Sequence, residues 1–60
     1  MENRMNYLEM TAMELGLSIS EAVFELVTAY YEAAGFDSEI LRGELLSKSD
    51  KEIMEMYMKL

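Results

Sequence analysis

Sixty residues make one domain, spanning 1–60, and a chain this short buries only about 60% of its unfolded surface. It has no cysteine and no histidine, which excludes disulfide staples, the common zinc sites, thiolate nucleophiles and imidazole bases. The net charge of −7 is concentrated in one region, since seven acids and no base lie between Arg4 and Arg42, and such a segment repels a phosphate backbone.

Apolar residues make up 52% of the chain, enough to drive collapse despite the charge. Met, Leu, Glu and Ala dominate, proline is absent, and the few Val and Ile are scattered, so the pattern predicts helices and no strand. Asn3 to Leu15 reads as a first helix, stopped by Gly16 in a left-handed turn. Its stripe is Met5, Leu8, Ala12 and Leu15, with Met10 and Met13 on nearly the opposite side.

Ser18-Ile-Ser-Glu21 is a capping box opening a second helix from about Ile19 to Ala34, ended by Gly35. Phe36 follows, placed to pack back on the last turn. Ile19, Ala22, Val23, Leu26, Val27, Tyr30, Ala33 and Ala34 form a broad apolar arc, widened by Phe24 and Tyr31. Glu21, Glu25, Thr28 and Glu32 are left as the wet strip. An arc this wide needs at least two neighbouring helices, so the second helix is the expected centre of the fold.

Asp37 or Ser38 caps a short third helix, roughly Glu39 to Leu46, weakened by Gly43. Ser49-Asp-Lys-Glu52 is a second capping box, opening a fourth helix to about Lys59. Ile53, Met56, Tyr57 and Leu60 form its stripe, with Met54 and Met58 to one side. The expected architecture is therefore all-α, a small bundle of three to four short helices.

The stretch Met13-Glu-Leu-Gly-Leu-Ser-Ile-Ser-Glu-Ala-Val, running on to Tyr30, resembles the helical part of ribbon-helix-helix regulators. There a helix ends in a Leu-Gly turn and a Ser-capped helix with an apolar face follows. The resemblance covers about a third of the chain and implies tight dimerisation through the second helix. Family members read DNA with a basic N-terminal strand, for which only Met1 to Met5, with the single Arg4, stand here. A small DNA-binding regulator is thus the alternative reading.

Other chemistry finds little support. The five serines all lie at helix starts or loops, where capping accounts for them. The pairs Glu21–Glu25 and Glu52–Glu55 suit a solvated helix face better than the cleft that paired-carboxylate hydrolysis needs. No cofactor, metal or small-molecule substrate is expected. No run approaches the roughly 20 apolar residues of a membrane span, and the opening residues lack a signal-peptide core. The absence of cysteine fits a cytoplasmic protein.

Seven methionines in 60 residues are the most unusual feature. Methionine is over-used on surfaces that accept varied partners. The sequence-level reading is a non-enzymatic interaction module, a regulator or inhibitor of a larger protein, pairing with itself, with that protein, or both. A DNA-mimicking acidic face is one form such an inhibitor could take. Met10, Met13, Phe24, Val27, Tyr31, Met54 and Met58 are the expected interface residues, with a homodimer formed along the second helix.

Overall fold

The computed structural model describes residues 3–60. Four helices follow one another: α1 Arg4–Leu15, α2 Ile19–Ala33, α3 Ser38–Leu46 and α4 Asp50–Lys59, with no strand among the described residues. Each begins on a residue whose side chain accepts from a free helix amide. Asn3 serves Met5, Ser18 serves Glu21, Asp37 serves Ile40, and Ser49 serves Glu52. At Ser18 and Ser49 the glutamate three residues on returns a bond to the cap backbone, so both capping boxes are complete.

The first two helices stop by the same device. Gly16, at φ 69°, lets the Leu17 amide reach the Ala12 carbonyl at 2.9 Å and its own amide reach Met13 at 3.3 Å. Gly35, at φ 99°, does the same for Phe36 onto Tyr31 and for itself onto Glu32, both at 3.0 Å. A side chain at either glycine would be strained by this left-handed backbone. The accompanying apolar contact is present: the Phe36 and Tyr31 rings meet edge to face at 5.1 Å. Without a terminal glycine, α3 ends on Ser47, whose hydroxyl donates to the Glu44 carbonyl at 2.6 Å.

Every major helix–helix contact includes α2, which packs on α1, α3 and α4. The core is Leu8 and Ala12 of α1, Ala22, Val23 and Val27 of α2, Leu41 and Leu45 of α3, and Ile53 and Tyr57 of α4. Phe24, Tyr31, Met54 and Met56 are half-buried against it.

The faces differ from the sequence pattern at several positions. Thr28, expected on the wet strip, is buried, because its hydroxyl donates to the Phe24 carbonyl at 2.7 Å and needs no water. Leu15, expected in the stripe of α1, is exposed at the last turn, while Leu17 returns from the glycine turn to pack on the core. Ile19 and Tyr30 are exposed as well, so the buried arc of α2 is narrower than the apolar arc.

One clasp joins the two ends of the described chain. The Arg4 guanidinium donates to the Tyr57 carbonyl at 3.0 Å, which also accepts the Leu60 amide, and to the Leu60 carbonyl at the end of α4. In return the Tyr57 hydroxyl donates to the Arg4 carbonyl at 2.7 Å. A cation at the negative end of a helix is favourable.

Candidate interaction surface

The residues expected at an interface separate into three groups. Met10 and Met13 are exposed, Met13 to 81%, and with Tyr7 they form an i, i+3, i+6 stripe on the outer face of α1. Met58 is exposed on α4. Phe24, Tyr31 and Met54 are half-buried, each packed against the core. Val27 needs correction: it is 0% exposed. Three helices cover α2 at that point, so Val27 is a core residue and offers no surface to a partner. The seven do not gather on one face.

Two depressions stand out on the surface of the described residues. The larger, of about 450 Å³, opens beside α3. Leu41 and Leu45 form its floor with Tyr31, while Met56 of α4 reaches its edge. Along its outer side Ile40 and Glu44 lie one turn apart on α3, with Phe36 and Lys48 in the turns before and after that helix. Helices α3 and α4 each pack on α2 but make no comparable contact with one another, which leaves the space between them open. Ile40 is 66% exposed on this rim.

The smaller depression, about 320 Å³, lies between the first half of α2 and the α3–α4 turn and is lined by Leu17, Phe24, Leu46, Glu21, Glu25 and Asp50 among others. Its polar groups are largely satisfied internally. The Glu21 carboxylate accepts from the Ser18 amide at 2.9 Å, and that bond lowers its pKa. Glu25 faces both guanidinium nitrogens of Arg42 at 3.4 Å, which raises the arginine's already high pKa. The same guanidinium sits 5.9 Å from the centre of the Phe24 ring.

The serines all have local tasks. Ser18 and Ser49 cap helices, Ser20 lies 3.4 Å from the Ser18 hydroxyl, Ser38 donates to Glu32, and Ser47 donates to the Glu44 carbonyl. Among the described residues no group of three acids could hold a metal ion, the Glu21, Glu25 and Glu32 strip included. No described helix is long and apolar enough to cross a membrane.

The strand implied by the ribbon-helix-helix resemblance has no counterpart in the described residues. Arg4 and Met5 are already helical, and Met1 and Glu2 lie outside that range. The clasp and the α3 ridge escaped sequence reasoning for different reasons. Arg4 meets residues 53 and 56 positions away, which local pattern cannot report. Ile40 and Glu44 share a face of α3 by spacing, but Ile40 lies 100° from the Leu41 side of its helix, and which side opens on a cleft depends on where α4 packs. No family model, curated protein or solved structure matches the chain.

Proposed function

We propose that the chain is a non-enzymatic interaction module that binds another protein chain, a larger protein or a second copy of itself, and regulates or inhibits it. The observation that carries this reading is the stripe of Tyr7, Met10 and Met13. It lies on the face of α1 turned away from Leu8 and Ala12, and its members are 49%, 60% and 81% exposed. Methionine side chains adapt their shape to what they meet, and tyrosine supplies area with a polar tip. None of the three belongs to the described core or packs against it.

The acidic balance favours a partner that carries bases over one that carries phosphates. Arg4, which the DNA-binding alternative needs, is committed to the end of α4. The test compares the native chain with a Met10→Glu, Met13→Glu variant by sedimentation equilibrium and by photo-crosslinking in a host lysate. The native chain is expected to self-associate or to crosslink to a discrete protein. The variant, still helical and melting at a similar temperature, is expected to do neither. A native chain that stays monomeric and gives no crosslink, or a variant that behaves as the native chain does, overturns the reading.

A further inference from the structure

We infer that the cleft beside α3 is a docking groove for a basic amphipathic helix of a partner protein. The inference rests on the interaction-module reading and adds a place and a partner chemistry to it.

The mode of binding follows from what the surface offers. There is no sheet edge among the described residues, so an extended peptide has no strand to pair with. The opening between α3 and α4 has apolar walls, Tyr31, Ile40, Leu41 and Met56 among them, and helices that both rest on α2. A third helix laid along such an opening places side chains at i, i+3, i+4 and i+7 on the floor.

The charge selects the partner's flanks. Glu44, on the rim, has no ion-pair or hydrogen-bond partner for its carboxylate among the described residues, and Asp37 uses one oxygen for the Ile40 amide. Lys48 stands four residues beyond Glu44 but makes no ion pair with it. It sits close enough to Glu52 to help hold that carboxylate's pKa low. The rim therefore presents two carboxylates, Asp37 and Glu44, against one ammonium, Lys48, and neither acid has an ion-pair partner among the described residues. By contrast, the smaller depression has Glu21 and Glu25 already engaged with Ser18 and Arg42.

The same charges argue against a second copy as the occupant. The exposed apolar stripe of α1 is flanked by Glu9 and Glu14, and Arg4 is occupied elsewhere. Seating that stripe in the cleft brings carboxylates against Asp37 and Glu44 within a Debye length of about 8 Å. A helix with lysine or arginine beside its apolar face meets no such opposition.

The experiment uses a synthetic helical peptide of leucine, alanine and lysine, about four turns long, with leucines at i, i+3, i+4 and i+7. Its twin carries glutamate at every lysine position. Calorimetric titration against the full chain is paired with amide chemical-shift mapping. The lysine peptide is expected to bind, shifting Phe36, Ile40, Glu44 and Met56, while the glutamate twin does not.

Glu44→Lys and Ile40→Ser, both at exposed positions, are expected to weaken binding about tenfold. Glu14→Lys makes the same charge change on α1 and is expected to leave it within about twofold. No binding of the lysine peptide, equal binding of its twin, or an equal loss from Glu14→Lys overturns the inference. If any of these occurs while the α1 stripe still mediates association, the groove alone has failed. If neither surface binds, the module reading has failed with it.

Discussion

Ser18 and Ser49 each hold the amide of a glutamate three residues on, at 3.2 Å, and the glutamate returns a bond of 2.9 Å to the serine's own amide. Replacing either serine by alanine removes an acceptor from a helix start and is expected to cost about 0.5–2 kcal/mol in a denaturant titration. Those bonds hold both Glu21 and Glu52 below the ordinary glutamate pKa, the serine amide contributing most. A carboxylate with a depressed folded-state pKa adds stability above its unfolded value, about 4.3, and loses it as pH falls through the folded value. The native chain should therefore lose stability more steeply below about pH 4.3 than a Glu21→Gln, Glu52→Gln variant, in melts taken across that range. A variant with the same slope would show that neither cap is formed in solution. These caps were legible because a capping box is a local pattern of side chain and spacing. Thr28 was not, because its burial depends on a hydroxyl finding the Phe24 carbonyl one turn back, and a polar residue between glutamates reads as solvent-facing.

Among the helices α3 is the shortest, nine residues, and it carries Gly43 in its interior. Gly43 has ordinary helical backbone, and a Cβ built there meets nothing within 4 Å. Gly43→Ala should thus stabilise the chain by about 1 kcal/mol, read from the denaturant midpoint. Gly16→Ala and Gly35→Ala should do the opposite, since both glycines hold a left-handed backbone. A destabilising Gly43→Ala would mean that α3 is distorted at that point. The element boundaries were visible in the sequence nearly to the residue, because serine caps and terminal glycines mark them. The faces were less so. Leu15 and Ile19 belong to apolar stripes by angle, yet they flank the turn at Gly16, where no neighbouring helix reaches them.

For the whole molecule, the sequence asked for at least two helices to cover the wide apolar arc of α2 and expected a homodimer along it. The covers are present: α1, α3 and α4 all pack on α2, and Val27, placed in the expected seam, is in the core. Counting the apolar arc of one helix overstated its need, because Phe24 and Tyr31 are half-covered by their own chain and Tyr30 stays in water. What the packing leaves unsatisfied lies elsewhere, on the outside of α1 and beside α3. The first was legible in Met10 and Met13, which fall opposite the α1 stripe. The second depends on α3 and α4 standing apart on a common support, a tertiary fact that no single-helix pattern carries.

The Arg4–Tyr57 clasp also has a consequence in time. The turns between helices run 16–18, 34–37 and 47–49, so most native contacts form between near neighbours in the chain. Such a topology folds in microseconds to milliseconds. The α2–α4 contacts reach across the intervening α3, and the clasp must close a longer loop still, of more than fifty residues. Its bonds reward the chain only after α2 has gathered its neighbours, and they are expected to form after the rate-limiting step. Arg4→Met and Tyr57→Phe should accordingly leave the folding limb of a stopped-flow chevron in place and raise the unfolding limb. A slowed folding limb would place the joined ends inside the nucleus. As described, the clasp acts as a latch on exit, setting how long the folded chain persists and leaving the rate of its assembly to the short turns.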